Sequence, residues 1–301
     1  MAYPTVSAPY GLKPINLIGG QVFAGSTRNI PIQYGYNVNI FYGDFVALTK
    51  GLVTRMAVTD GGAGTSGAAT YGQIGIFLGC TYTSPTTKQK QFAQYWPAGT
   101  LAGDCQAIIC DDPDTLFKVA AVTAAAGTTI GSVNNFQVGQ NFSATNLTGS
   151  VNTGNSSNGL LANSNTTGSA STTQPLRLVS VVPDTVISSS VVSTSAVTST
   201  TIACTGGLPQ ALPIGTEVGY LAPNGQYIAT GSYVSVAAAA GATSVTINTA
   251  AVTVNAGGAA VSAVSSIASG STFVFNQYPE AIVKFNFGIH SYYNATGSVY
   301  S

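Results

Sequence analysis

The sequence predicts an all-β protein, on three observations. No sustained stripe of apolar residues follows the i, i+3, i+4 spacing of an amphipathic helix. The 35 glycines are spread along the whole chain together with β-branched residues and tyrosines, which favours strands joined by turns. Residues 281–290 alternate apolar and polar side chains with a period of two, the pattern of a strand that buries one face.

Further segments show the same pattern between Gly, Pro, Asp or Ser residues. They are 37–48, 52–58, 73–83, 88–96, 105–110 and 176–182. Their number and spacing predict a β-barrel or a β-sandwich.

Residues 185–279 differ in style, because Glu217 is their only charged residue and their alternating segments are built from small side chains. Turn sequences follow one another at spacings that suit a small Ig-like β-sandwich. Aromatic and charged residues return after about Tyr278. We therefore predict a discontinuous β-barrel-like body, residues 1–184 with 280–301, and an inserted Ig-like domain, residues 185–279.

Residues 119–175 form an uncharged tract rich in Asn, Ser, Thr and Gly. Such a tract is typical of a flexible excursion. A second interpretation is an extended arm ordered by neighbouring molecules, since apolar anchors occur within it. These anchors are Phe136, Val138, Phe142, Leu147, Val151, Leu160 and Leu161.

Charge is sparse: Asp, Glu, Lys and Arg make up 6% of the chain, and nine basic residues balance nine acidic ones. The basic residues are scattered along the sequence, with no stripe interleaved with aromatics, which argues against nucleic acid as a partner. No apolar run reaches the length of a membrane-spanning helix, so we expect no membrane contact. With so few charges, electrostatic repulsion between copies of the protein is weak. This favours assembly into oligomers, and the alternative is a monomer whose surface is covered by small polar residues.

The four cysteines form no CxxC pair, and a chain with one histidine offers few ligands for zinc. We expect free thiols, with a disulfide between Cys105 and Cys110 as the alternative. The first 20 residues contain three prolines and place Lys13 too late for a signal peptide, so an unexported protein is expected.

Candidate catalytic and binding motifs are weak. Gly62, Gly64 and Gly67 match GxGxxG, but a strand pattern follows where a dinucleotide site needs a helix, so a hairpin loop and no cofactor are expected. The sole histidine, His290, lies on the polar face of a strand with no GxSxG motif elsewhere. Asp104, Asp111, Asp112 and Asp114 form an acidic cluster that predicts a turn more readily than a metal site, because the spacing of a calcium loop is missing.

Several short sequences resemble virion structural proteins of marine tailed bacteriophages. They are residues 7–16 (SAPYGLKPIN), 18–21 (IGGQ), 24–28 (AGSTR), 40–44 (IFYGD), 79–82 (GCTY), 94–98 (QYWPA), 111–114 (DDPD) and 284–288 (KFNFG). The resemblance implies a capsid decoration, or cement, protein that binds the outside of the shell and clamps neighbouring capsid subunits. It also implies a β-barrel or β-tulip body with an Ig-like appendage, and assembly in the host cytoplasm onto the exterior of the virion. The partners would be the major capsid protein and copies of the chain itself, as a homotrimer.

The N-terminal segment, residues 1–20, is rich in proline and lacks strand periodicity. We predict that it is an arm lying across a neighbouring subunit, with Tyr3, Tyr10, Leu12 and Ile15 as contact residues. The alternative functions are a component of the tail or fibre and a β-fold glycan hydrolase that uses two of the clustered aspartates.

Overall fold

The computed structural model describes residues 6, 8–56, 73–122, 130–131, 133, 137–162, 174–185, 187–197, 200–212, 214–221, 227–248, 255–256, 259–260 and 268–286. The regular secondary structure of these residues consists of β-strands and a 3₁₀ turn at Pro183–Thr185. The predicted all-β class is confirmed. Within the same ranges, no helix is long and apolar enough to cross a membrane.

The chain divides into two compact units, which we call the body and the insert unit. The body takes its described residues from 8–127, 133–181 and 281–301. The insert unit takes them from 182–280, with Val6 and residues 130–131. The predicted boundaries of the inserted domain, 185 and 279, lie within a few residues of this division.

Twelve strands belong to the body. They are β1 (Lys13–Leu17), β2 (Arg28–Pro31), β3 (Phe45–Thr49), β4 (Leu52–Arg55), β5 (Gln73–Thr83), β6 (Lys90–Ala93), β7 (Gln106–Cys110), β8 (Thr115–Val122), β9 (Asn141–Ala144), β10 (Leu160–Leu161), β11 (Leu176–Val181) and β20 (Glu280–Phe285).

Five of these strands close into a barrel, in the order β8, β10, β9, β11, β20 and back to β8. The β8–β10 pair is parallel, whereas β10–β9, β9–β11 and β11–β20 are antiparallel. Strand β1 is not part of the ring. It pairs antiparallel with residues 115–118 of β8, whereas β10 pairs with Ala121 and Val122 of that strand. Closure removes the exposed edges that an open sheet would leave.

Alternation along β8 shows why this sequence forms a barrel wall. Phe117 and Val119 are fully buried, whereas Leu116 and Lys118, which alternate with them, are half-buried on the outer face. On β20 the same alternation buries Phe285, whose ring lies 4.9 Å from that of Phe117. The barrel core therefore follows from a period of two on strands that are far apart in sequence.

A second sheet of the body has the order β2, β7, β5, β3, β4, with β6 also paired to β5. A single parallel bridge between Ile32 and Val53 brings its two end strands together. The residues of this sheet form an apolar core of their own, separate from the barrel core. It is built around Trp96, Phe77 and Ile40, which have no exposed surface.

The uncharged tract is ordered within its own chain over part of its length, which corrects both sequence interpretations there. Phe142 lies in β9, and Leu160 and Leu161 form β10, so the tract supplies two of the five barrel strands. Val138 and Val151 are exposed, and Phe136 lies outside the described residues. The tract looked irregular because its strands β9 and β10 are only four and two residues long.

The strand bounds predicted from the sequence agree with the observed bounds for some strands and not for others. Strand β5 coincides with the predicted 73–83. The predicted strand 37–48 is wrong over 37–44, where the Asp44 amide donates to the Phe41 carbonyl in a tight turn and Gly43 has a φ of 91°. The strand predicted at 281–290 is observed as β20, and residues 287–290 lie outside the described part of the chain.

The insert unit contains the remaining strands. They are β12 (Ile187–Val192), β13 (Thr201–Ala203), β14 (Glu217–Leu221), β15 (Tyr227–Tyr233), β16 (Ser244–Thr246), β17 (Asn255–Ala256), β18 (Ala259–Ala260) and β19 (Thr272–Asn276).

A four-stranded sheet in the order β12, β19, β14, β15 and the pair β13–β16 share one apolar core in the insert unit. Phe273 and Phe275 come from the larger sheet, and Ile202 and Val245 from the smaller one. Two sheets around one core are what a sandwich requires. The Ig-like topology of this unit stays a prediction.

Excision of the insert unit is expected to leave a folded body. Val181 pairs with Ala281 across β11 and β20, so the two ends left by removing residues 182–280 lie on neighbouring strands, where a two-residue hairpin loop can join them. The expected product is soluble and unfolds in one cooperative transition on heating, monitored by circular dichroism. An insoluble chain, or one without a cooperative transition, would contradict independent folding of the body.

Candidate functional site

The aspartates singled out from the sequence do not converge in a cleft. Asp104 accepts hydrogen bonds from the amide and hydroxyl of Thr83, which lower its pKa, and forms an exposed ion pair with Lys90. Asp111 pairs with Arg28.

Asp112 Oδ1 accepts from the Asp114 amide at 2.9 Å, which fits the turn predicted for this segment. Among the residues that the structure describes, no group of three or more His, Cys, Asp or Glu side chains could hold a metal ion. His290 and the glycines at 62, 64 and 67 lie outside these residues.

The predicted contact residues of the N-terminal arm have different surroundings. Leu12 is fully buried in the barrel core of its own chain, so its side chain has no surface to offer a neighbour, and residues 13–17 form β1. Tyr10 and Ile15 are half-buried, and Tyr3 lies outside the described residues. The contact role stays a prediction for these three, and a truncation that tests it must end before Tyr10 if the core is to stay intact.

The body contains an ion pair with a fully buried carboxylate, Asp44, and a largely buried guanidinium, Arg55, whose side chain is 14% exposed; neither residue was predicted as a site residue from the sequence. Asp44 has no exposed surface, and its Oδ2 accepts from Arg55 Nε at 2.9 Å and from the Phe41 amide at 3.0 Å. Its Oδ1 accepts from Ser156 Oγ at 2.6 Å and Asn158 Nδ2 at 2.9 Å. Each carboxylate oxygen thus receives two hydrogen bonds, as a buried charge requires.

This network fastens the loop between β9 and β10 to the rest of the body. Arg55 also donates to the Leu147 carbonyl, and the Leu147 amide donates to Asn158 Oδ1 at 2.7 Å. A side chain at Gly43 would meet the Leu12 amide nitrogen at 2.8 Å, and one at Gly11 would meet Ser156 Cβ at 2.7 Å. The two glycines therefore allow the close backbone approach that brings the loop within reach of Asp44.

Burial raises the pKa of Asp44, and Arg55, Ser156 and the Phe41 amide oppose that shift. Loss of hydration is thus the largest influence on this carboxyl group, and the ion pair yields little net electrostatic stabilisation. The network acts instead by fixing one arrangement of the loop, because any other arrangement leaves a buried charge or donor without a partner.

Besides Phe92 on β6, three large apolar side chains on loops of the second sheet are exposed. Tyr34 is 61% exposed, Leu101 56% and Val38 41%. They lie on two loops, 33–39 and 96–101, and we call them the apolar loop surface. Exposed apolar groups that lie close together are the usual mark of an interaction site.

Backbone hydrogen bonds hold these two loops together. The Gly35 amide donates to the Thr100 carbonyl at 3.2 Å, and the Gly99 amide donates to the Tyr36 carbonyl at 2.9 Å. A Cβ placed on Gly35 would lie 3.3 Å from Leu101 Cδ2, so the loops are in van der Waals contact. The apolar loop surface is therefore presented by a fixed backbone, which lowers the entropy lost on binding.

The four cysteines are free and buried, and the alternative disulfide between Cys105 and Cys110 is not formed. Cys110 belongs to the barrel core and Cys105 to the core of the second sheet. Burial raises the pKa of Cys80 to about 12 and that of Cys110 to about 11. Since the thiolate is the reactive form, these thiols are unsuited to nucleophilic chemistry.

A scan against protein-family models, a search of curated proteins and a search of solved structures each return no match for this chain.

Proposed function

We propose that the protein is a structural component of a tailed-phage virion that binds the outer surface of the capsid and clamps neighbouring capsid subunits. The apolar loop surface, formed by Tyr34, Val38 and Leu101, carries this proposal. It would insert into an apolar depression on the major capsid protein.

The properties of the body support a role in binding rather than in catalysis. An exposed aromatic side chain with low charge around it is typical of the centre of a protein–protein interface. Burial raises the pKa of the Cys80 and Cys110 thiols, which makes them poor nucleophiles. Asp104 pairs with Lys90 and Asp111 pairs with Arg28, so these two carboxylates are held by different partners. The short sequences that resemble virion structural proteins supply the identity of the partner.

Replacing Leu101 with aspartate is expected to reduce binding to capsids by more than about tenfold, because a charge at the centre of an interface is desolvated without a partner. The measurement is co-sedimentation of the purified protein with particles that lack it. The matched control is Val138→Asp, which adds the same charge at another exposed valine of the body and is expected to bind as the unaltered chain does.

Equal binding by both variants would contradict the role of the apolar loop surface.

The proposed location on the capsid is tested by counting the copies of the protein per virion with quantitative mass spectrometry. Hundreds of copies support a capsid decoration protein, and a handful would overturn it in favour of a tail or fibre component.

A further inference from the structure

The loop that the Asp44 network holds ends in the dipeptide Asn158–Gly159, which is chemically labile. In an open chain, the amide nitrogen of the residue after an asparagine can attack the carbonyl carbon of the asparagine side chain. Glycine in that position hinders the attack least, because it has no Cβ. The sequence contains Asn-Gly at residues 158–159 and 224–225, and the second pair lies outside the described residues. The first pair is buried, so its reactivity depends on how the fold holds it.

The fold requires both residues of this dipeptide for packing. The Leu147 amide donates to Asn158 Oδ1 at 2.7 Å, and Asn158 Nδ2 donates to Asp44 Oδ1 at 2.9 Å. The side chain at this position must therefore accept at one end and donate at the other, as an amide does. A Cβ on Gly159 would lie 3.0 Å from the Ala120 carbonyl oxygen on β8, closer than an ordinary contact. The two requirements are independent, and together they place a labile pair in the loop.

The folded state holds both reacting groups in place. The Gly159 amide, which supplies the attacking nitrogen, donates to Thr145 Oγ1 at 2.7 Å. The Asn158 side chain is fixed at both ends of its amide, and the residue is only 3% exposed. Attack requires this side chain to rotate out of both hydrogen bonds, and it requires water to take the proton from the Gly159 amide. Both conditions are met only when residues 145–159 separate from the body by local opening.

We propose that Asn158–Gly159 is a latent deamidation site. The network around Asp44 keeps it unreactive, and opening of residues 145–159 exposes it to a reaction that permanently releases this loop. The only co-reactant is water. The Gly159 nitrogen bonds to the carbonyl carbon of the Asn158 side chain, the bond from that carbon to Nδ2 breaks, and ammonia leaves with the amide proton of Gly159. Water then opens the five-membered imide at either of its carbonyl carbons, which leaves an aspartate or an isoaspartate at position 158.

The product does not fit the site that the asparagine occupied. A carboxylate at position 158 replaces the Nδ2 donor that lies 2.9 Å from Asp44 Oδ1, so two negative charges face each other in a buried site. An isoaspartate also lengthens the backbone close to β10, which pairs with both β8 and β9 of the barrel. Reclosure of the loop is therefore unfavourable, and deamidation converts a transient opening into a permanent one. This inference does not depend on the proposed binding to capsids.

The rate of deamidation in the full-length protein tests the protection by the fold. The purified protein is incubated at neutral pH, either folded or unfolded in guanidinium chloride, and conversion of Asn158 is followed by proteolytic digestion and mass spectrometry. We expect conversion in the folded protein to be slower by more than about a hundredfold, because a buried segment opens only rarely in the native state. Equal rates in the two samples would overturn the proposal.

Two variants test whether the hydrogen bonds around the dipeptide control its reaction. Asp44→Ala removes the acceptor for Asn158 Nδ2, and Thr145→Val removes the acceptor for the Gly159 amide while it leaves the ion pair of Asp44 in place. Each is expected to raise the rate at Asn158 by about tenfold or more, because a lost acceptor makes opening of the loop easier. Circular dichroism identifies a variant that has unfolded, and Thr145→Val then decides the outcome.

The second Asn-Gly pair serves as the internal standard in the same digests. The rate at Asn224 should be equal in the unaltered chain and in the folded variants, and Asp104→Ala, the matched control, should leave both rates unchanged. A rate at Asn158 that stays unchanged in the folded variants would overturn the proposal. So would an equal rise at Asn158 and Asn224, because it would show general unfolding rather than opening of the loop.

Permanent release of the loop is tested with Asn158→Asp, which has the charge of the product. Hydrogen exchange of the amides in residues 145–159, measured by mass spectrometry, is expected to be at least about tenfold faster than in the unaltered chain. Asn152→Asp adds the same charge at an exposed position of the same loop and is expected to exchange as the unaltered chain does. The deamidated fraction of aged protein, isolated by ion exchange, gives the same comparison on chains that folded before they reacted. Exchange equal to that of Asn152→Asp in both samples would overturn permanent release.

Discussion

Replacing Asp44 with alanine is expected to lower the free energy of unfolding of the body by about 3–5 kcal/mol. The substitution leaves the largely buried Arg55 guanidinium without its counter-charge and removes the acceptor for the Phe41 amide, Ser156 and Asn158. Since a domain is typically stable by about 5–15 kcal/mol, this loss is a large fraction of the total. Asp44→Asn is also expected to be destabilising, because both carboxylate oxygens face donors and the amide nitrogen would meet two of them.

Urea unfolding followed by tryptophan fluorescence measures this effect, since the single tryptophan, Trp96, is buried in the body. Asp104→Ala is the matched control, because it removes an exposed carboxylate that contacts Lys90 and Thr83 at the surface, and it is expected to shift the unfolding midpoint far less than Asp44→Ala does. A midpoint for Asp44→Ala equal to that of Asp104→Ala would contradict a structural role for the buried network.

Replacing Phe285 with alanine is expected to lower the free energy of unfolding by about 3–5 kcal/mol. Phe285 is fully buried at the point where β20 closes the barrel, opposite Leu176 and in contact with the ring of Phe117. The cavity left by the ring and the lost aromatic pair both contribute to the effect.

The same urea titration, read by far-ultraviolet circular dichroism, reports on Phe285→Ala. Phe92→Ala is the matched control, since the Phe92 side chain is 81% exposed and its loss should change stability by less than about 0.5 kcal/mol. If the two variants unfold at the same urea concentration, β20 does not hold the barrel closed.

The strength of the local pattern decided which parts of the fold could be predicted from sequence. Strand β5 was predicted with its bounds because eleven consecutive residues carry the pattern between glycines and turn residues. Strands β9 and β10 were missed because Phe142 and Leu160 lie in four- and two-residue segments of a polar tract, and only pairing with distant strands makes them part of a wall.

The candidate site could be predicted only in part. Asp44 interrupts an apolar run, residues 40–48, in a chain with few charges, and this signal points to a buried charge. Its partners could not be predicted, since Ser156 and Asn158 are more than a hundred residues away.

The position of β20 in the chain fixes the order in which the body can be completed during synthesis. Strands β2 to β7 all lie between residues 28 and 110, so the second sheet can form while the rest of the chain is still on the ribosome. The ring of β8, β10, β9 and β11 stays open until residues 280–285 have emerged, and its unpaired edges are exposed throughout that interval. Barrel closure is therefore expected to be a late, slow step, dominated by contacts between residues distant in sequence.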